Sequence, residues 1–214
     1  MIVVTSDQLS LRSVQDGKVL ATRPLPPATD TSAATASMAG DLLLVREAGV
    51  VTAYTMADLE RRWQRAQPED EGNSATCTGL VCEKSGPVLA MLDPATGAPR
   101  WHTDGQVDVQ PAAGYDLLME SGQTKPLRAV DPATGALAVD LSGWQSFSAI
   151  SGTGAVVLTR AEPGQGTVFG ILRPGGRAVE RLGATRAPIT DCRADVRLVA
   201  CRAPTGVEVF TYTA

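Results

Sequence analysis

Short apolar runs and turn-forming clusters alternate along the whole chain. Six apolar runs stand out, at Ile2–Thr5, Leu42–Val45, Gly79–Cys82, Leu117–Met119, Val156–Thr159 and Leu198–Cys201. A stretch of alternating apolar and polar residues follows each run, and then a turn. In the first five copies a third run comes after the turn, at Lys18–Leu25, Arg61–Arg65, Ala98–His102, Ala136–Leu141 and Arg177–Leu182. Weaker signals precede four of the copies, near Ala75–Cys77, Val107–Gln110, Phe147–Ile150 and Pro188–Cys192. Short runs bounded by glycine, proline and aspartate read as strands. About four strands in every ~40 residues is the arithmetic of radially repeated four-stranded sheets. Helix-forming residues gather only at Met56–Arg65. Their place in the repeat makes them a variant turn and outer strand, with a short helix at Ala57–Arg65 as the alternative.

The repeat is explicit at its turn. Ala90-Met91-Leu92-Asp93-Pro94-Ala95-Thr96-Gly97 returns as Arg128-Ala129-Val130-Asp131-Pro132-Ala133-Thr134-Gly135, and the two aspartates are 38 residues apart. Degenerate copies fall at Leu11–Gly17, Ala53–Asp58 and Gly170–Gly176, and a further one starts at Val207–Tyr212. Proline presets φ at the second turn position, the aspartate accepts backbone N–H groups across the turn, and glycine supplies a positive φ. Asp93, Gly97, Asp131 and Gly135 are therefore structural turn residues. A calcium loop would need further oxygen ligands at alternate positions, which Pro94, Ala95 and Thr96 do not supply.

The string from Ala90 through Asp93-Pro94-Ala95-Thr96-Gly97 to Trp101 resembles the pyrroloquinoline-quinone-type propeller repeat. That family holds quinoprotein alcohol dehydrogenases, non-enzymatic outer-membrane assembly lipoproteins and many secreted actinobacterial proteins. The resemblance implies an all-β fold, a β-propeller. It also implies that Trp101, and Trp63 at the matching place, wedge between neighbouring blades. The second clear copy has Val139 where the tryptophan would stand. The family's dehydrogenases cover their quinone with a disulfide of adjacent cysteines and hold calcium beneath it. This chain has no Cys-Cys pair and is far shorter, so none of those residues carries over. The non-catalytic branch is expected, with no cofactor, no metal and no catalytic residue. Repeat spacing divides a single domain, 1–214, into blades at roughly 1–34, 35–73, 74–106, 107–145, 146–186 and 187–214. Blade one would lack its first strand and blade six its last, as in a piece of a seven- or eight-bladed parent. The seam between those two blades is expected to be the least stable region.

Four cysteines change the picture of where such a chain works. A two-residue type II′ turn at Gly79-Leu80 would set Cys77 opposite Cys82, within disulfide reach. Cys192 and Cys201 form the second expected pair, across a loop from Arg193 to Ala200. Cys82 and Cys201 each lie six residues before a second strand, so they are expected at one structural position. Two disulfides imply an oxidising compartment. The first residues, Met1–Asp7, read as a strand and lack the basic, apolar plan of a secretion signal. Residence outside the cytoplasm, secreted or tethered by an anchor outside this sequence, is the expectation.

Charge and composition narrow the partners. The net charge is −4, the pI is near 5.0 and aromatic residues make up 4% of the 214. A polyanion needs a basic patch, so no nucleic acid is expected. No apolar stretch approaches the roughly 18 residues of a membrane span. His102 is the only histidine, and it follows Trp101 on an outer strand, where Ser-His-Asp chemistry cannot be assembled. The acidic run Pro68–Asn73 reads as a solvated loop, and Ala161–Gly166 as a hairpin tip. Lysine is confined to Lys18, Lys84 and Lys125 amid many Arg, Ala and Gly, which points to a GC-rich source genome. The expected function is a non-catalytic extracytoplasmic binding or scaffold module, a monomer that meets another envelope or secreted protein. The alternatives are a fragment of a quinone-dependent dehydrogenase, and a cell-wall glycan-binding or sensor ectodomain.

Overall fold

The computed structural model describes residues 1–5, 7–25, 35–47, 49–66, 71–105 and 107–212, and of residues 71–76 the backbone alone. Among the described residues all regular elements are strands, gathered into six antiparallel sheets in which successive strands are neighbours. The chain divides into two compact units, Met1–Gly105 and Gln106–Ala214.

The first unit holds three sheets. Sheet 1 runs β1 (Ile2–Val4), β2 (Gln8–Arg12) and β3 (Val19–Pro24). Sheet 2 runs β4 (Thr35–Ala39), β5 (Leu42–Glu47), β6 (Val50–Thr55) and β7 (Arg61–Ala66). Sheet 3 runs β8 (Glu71–Thr76), β9 (Val81–Ser85), β10 (Val88–Leu92) and β11 (Pro99–Thr103). The continuous run in β5 has a direct cause. Leu42 and Leu44 pack on one side with Val81 and Leu92 of sheet 3, while Leu43 and Val45 pack on the other with Leu9 of sheet 1. A strand covered on both faces loses the in-out alternation of a half-exposed one. Each such leucine contributes on the order of 1.5–3 kcal/mol.

The second unit repeats the plan. Sheet 4 runs β12 (Val107–Ala112), β13 (Tyr115–Glu120), β14 (Pro126–Val130) and β15 (Leu137–Asp140). Sheet 5 runs β16 (Ser146–Ala149), β17 (Val156–Glu162), β18 (Gly166–Leu172) and β19 (Glu180–Thr185). Sheet 6 runs β20 (Thr190–Ala194), β21 (Leu198–Ala203) and β22 (Gly206–Thr211). Val156 and Leu158 pack with Leu117 and Ala129 of sheet 4; Val157 and Phe169 pack with Val199 and Cys201 of sheet 6. Phe169 and Phe210 set their ring centroids 4.9 Å apart across that second contact.

One turn recurs between the last two strands of the first four sheets. Its first residue donates its N–H to the carbonyl five residues on, as in Asp93 to Ala98 (2.8 Å), Asp131 to Ala136 (2.9 Å), Thr55 to Glu60 (2.9 Å) and Ser13 to Lys18 (2.9 Å). Its fifth residue, Gly97, Gly135, Leu59 or Gly17, donates to the carbonyl of the first. A side-chain oxygen at the fourth position then accepts the N–H two residues further on: Thr96 from Ala98, Thr134 from Ala136, Asp58 from Glu60, Asp16 from Lys18. The fifth residue has positive φ in every case, including Leu59 at 58°. A left-handed leucine costs about 1–2 kcal/mol. Leu59 is fully buried among Leu9, Leu43 and Tyr54, and that burial offsets the strain.

The turn is also where sheets lock together. Trp63 of β7 donates its indole N–H to the Pro94 carbonyl at 2.9 Å. A Cβ built on Gly97 would stand 2.6 Å from that indole. In the same way Arg23 of β3 donates Nε–H to the Leu59 carbonyl at 3.1 Å.

Arg61–Ala66 is the outer strand expected from its place in the repeat, not the alternative helix, and its side chains alternate across β7 with Trp63 alone deeply buried. Two expectations need correction. The strand expected at Arg177–Leu182 begins at Glu180, since the turn at Arg173–Gly176 is a different one, closed by the Gly176 N–H on the Arg173 carbonyl. Part of the acidic run, Glu71–Asn73, is not loop: it belongs to β8, paired with β9. Residues 67–70 lie outside the described residues.

The turn makes a quantitative prediction. Gly97→Ala brings a Cβ into the Trp63 indole at a left-handed position, whereas Gly17→Ala has the same φ and nothing within 4 Å. Both should lose about 1 kcal/mol for backbone strain, and Gly97→Ala should lose a further ~1–3 kcal/mol for overpacking. Urea midpoints of the two variants check this; equal losses would contradict the lock.

Candidate functional site

The residues singled out in the sequence lie in separate places. Asp93 and Asp131 spend their carboxylates on the turn: Asp93 Oδ1 accepts the N–H groups of Ala95 (2.8 Å) and Thr96 (3.1 Å), and Asp131 Oδ1 those of Ala133 (3.1 Å) and Thr134 (2.9 Å). Asp93 Oδ2 accepts from Arg100 Nε at 2.9 Å. Gly97 and Gly135 take φ of 70° and 72°. Trp101 is half-buried on β11, opposite Met91, the register position that Trp63 holds opposite Ala53 and Val139 holds opposite Ala129. His102 is exposed on β11, opposite Ala90. Among the described residues no group of three or more His, Cys, Asp or Glu side chains is arranged to hold a metal ion.

Cys77 is bonded to Cys82 and Cys192 to Cys201, with Cα separations of 5.8 and 4.1 Å. The local geometry differs from the expected one. Thr76 pairs with Val81 and Ala75 with Cys82, so Cys77 begins a four-residue loop, 77–80, in place of a two-residue turn. Gly79 still supplies a positive φ, of 71°. In the second pair the long loop is absent: Arg193 and Ala194 extend β20, and the hairpin closes at Asp195, whose Oδ1 accepts from Arg197 (2.9 Å) and Leu198 (3.2 Å). Cys192 sits in a β-bulge, where Asp191 and Cys192 together face Cys201. The two pairs are not equivalent either. The hairpins close at Ser85–Val88 and at Ala203–Gly206, which aligns Cys201 with Glu83 and puts Cys82 one residue away. A one-residue slip in a strand reverses the face. Cys201 faces the preceding sheet, as does Glu83, which is 2% exposed and stands 3.0 Å from Arg65 of sheet 2; Cys82 faces the other way and lies 3.2 Å from the Met91 sulfur.

The second disulfide borders a cleft of about 660 Å³ between sheets 5 and 6. Its lining holds four hydroxyls and an amide: Gln145 and Ser146 at the start of β16, Thr159 of β17, Thr167 of β18 and Thr190 of β20. Ser146 and Thr159 share a hydrogen bond, and Gln145 Oε1 accepts the Ala161 N–H at 3.0 Å. The rim carries Pro188, Ile189, Pro204, and one residue of each charge, Asp191 and Arg202. Asp191 has φ of 48°, a conformation imposed by the bulge, and both it and Arg202 are exposed. The two walls are joined where the Ala194 N–H meets Ser148 Oγ at 3.1 Å. Such a cleft offers an extended ligand both hydrogen-bonding partners and one charge of each sign. Its residues come from five segments, and only the bonded cysteine had been marked in the sequence. Their polar side chains on otherwise apolar strands were the available signal.

No protein-family model matches the chain, and no curated protein matches it. Among solved structures, Hsv2 of Kluyveromyces lactis with its loop 6CD replaced by a Gly-Ser linker is similar at TM-score 0.53 and 12% identity, over 98% of this chain and 73% of that one. BamB from Moraxella catarrhalis is similar at TM-score 0.46 and 17% identity, over 96% of this chain and 65% of that one. The dihydro-heme d1 dehydrogenase NirN is similar at TM-score 0.44 and 14% identity, over 97% of this chain and half of that one. At these identities the likeness is one of fold; that to Hsv2, with the six meander sheets among the described residues, makes the chain an all-β protein of β-propeller type.

The turn carboxylates predict a pH dependence. Hydrogen bonds from Arg100, then from the Ala95 N–H, hold the Asp93 carboxyl below its ordinary range. Asp58 is lowered by the Thr55 hydroxyl and the Glu60 N–H, and Asp140 by Ser142. Depressed folded-state values contribute stability that is complete above the ordinary carboxylate range and is lost as pH falls through them. The melting temperature of Asp93→Asn should lie below that of the wild-type chain at pH 7 and converge on it as acid protonates the Asp93 carboxyl. A gap that persisted unchanged in acid would contradict this.

Proposed function

We propose that the chain is a non-catalytic binding module that works outside the cytoplasm and takes an extended segment of another protein into the cleft between sheets 5 and 6. The observation that carries this reading is the cleft itself. It combines hydroxyl and amide groups with an exposed Asp191 and Arg202, and a disulfide fixes one wall. Ligand sites are usually concave, with a few placed polar groups on a preformed frame. Polypeptide in extended form needs hydrogen-bond partners along its length, and the hydroxyls of Ser146, Thr159, Thr167 and Thr190 line the cleft.

Two disulfides in a chain of this length support an oxidising setting. Reading the repeat as pyrroloquinoline-quinone-type rests on the Asp93–Trp101 string and on the matching turn at Asp131. The partner is then another envelope or secreted protein, and Trp101 serves as a blade wedge like Trp63.

Capture of partners from an envelope fraction by the purified, oxidised chain tests this. One partner should be recovered reproducibly, by the wild-type chain and by His102→Ala alike. Arg202→Glu should weaken its capture about tenfold, the scale of a lost charge contact at an interface, with the melting temperature unchanged. Capture indifferent to Arg202→Glu would place binding elsewhere and overturn the cleft assignment.

A further inference from the structure

Sheet 5 separates two different chemistries. Thr159 and Thr167 line the cleft toward sheet 6, while their neighbours Arg160 and Val168 line a second cavity, of about 350 Å³, toward sheet 4. Three guanidinium groups border this second cavity, those of Arg160, Arg177 and Arg181, together with the Trp144 indole and Asp140. Trp144 is the wedge of this contact. It is buried, and a Cβ on Gly170 would stand 2.4 Å from its ring.

Arg160 is held in place from two sides. Its guanidinium carbon lies 4.8 Å from the centroid of the Trp144 ring, and Nη2 is bonded to Glu162. Its Nε is buried and meets no acceptor. Arg181 is positioned by Gln165. The two carboxylates nearby, Asp140 and Glu162, leave one of the three arginine charges unbalanced, and Glu162 is already engaged by Arg160.

We propose that this pocket binds an oxyanion, a sulfate or phosphate ester or a carboxylate, between Arg160, Arg177 and Arg181. Guanidinium groups present forked donors that match such oxygens two at a time. The cavity is small enough that the bound part is a single charged group with about one sugar-sized unit behind it. The site lies on the opposite face of sheet 5 from the proposed peptide cleft and stands independently of it.

Isothermal titration of the full oxidised chain tests the proposal, with chloride held at constant ionic strength. The probes are inorganic sulfate, inorganic phosphate and glucuronate, with glucose as the neutral control. Saturable binding of at least one oxyanion, one per chain, with none of glucose, is expected. A preference for sulfate or phosphate would identify an ester, and a preference for glucuronate an acidic sugar. Arg177→Gln with Arg181→Gln changes two exposed side chains and should weaken binding at least ~10-fold while leaving the melting curve in place. Absence of saturable binding for all three anions, or undiminished binding in the double variant, would overturn the proposal.

Discussion

A five-residue turn with one left-handed residue recurs in the first four sheets, and sheets 1, 2 and 3 are joined at it. Between the last two strands of a sheet, a side-chain oxygen closes the turn and the fifth residue takes a positive φ. In sheet 3 that residue is Gly97, its surface is flat, and the Trp63 indole of the preceding sheet's outer strand settles on it. Hydrogen bonding within sheet 3 thereby creates a docking surface for sheet 2. Apolar strands buried on both faces, such as β5 and β17, supply most of the energy; the turn fixes where sheets 1, 2 and 3 meet.

Where local chemistry decided the outcome, the sequence was readable. Asp93-Pro94-Ala95-Thr96-Gly97 and its copy at Asp131 announce both the turn and the repeat, and apolar runs such as Leu42–Val45 announce strands covered on two sides. Ser13 and Thr55 close the same turn with hydroxyls, and Leu59 occupies the left-handed place. That copy was obscure because tertiary burial, absent from local propensity, keeps a leucine where glycine is expected. Cysteine pairing was legible from proximity, but its geometry was not. A bulge at Asp191-Cys192 and a one-residue difference in hairpin position put Cys82 and Cys201 on opposite faces. The cleft was harder to read for a plainer reason: its polar groups come from strands separated by turns and hairpins, and only the sheet registers bring them together.

Sheet 5 shows how a repeated frame acquires specific surfaces. Alternation along β17 and β18 sends Thr159 and Thr167 to one side and Arg160 and Val168 to the other. One face is neutral and rich in hydroxyls, and the other gathers guanidinium groups around Trp144. Val139 occupies the place of the repeat's tryptophan in sheet 4, and Trp144, a few residues later, brings the indole to Gly170. The same packing need is met from a different position, and Arg160 is drawn onto the ring.

Site-specific photo-crosslinking in the envelope fraction tests the binding account most directly. A photoreactive residue at Thr190, in the cleft, is compared with one at Val14, an 84% exposed turn residue of sheet 1. The account predicts a discrete adduct with one protein from position 190 and none from position 14. The same adducts from both positions, or none from position 190, would contradict it.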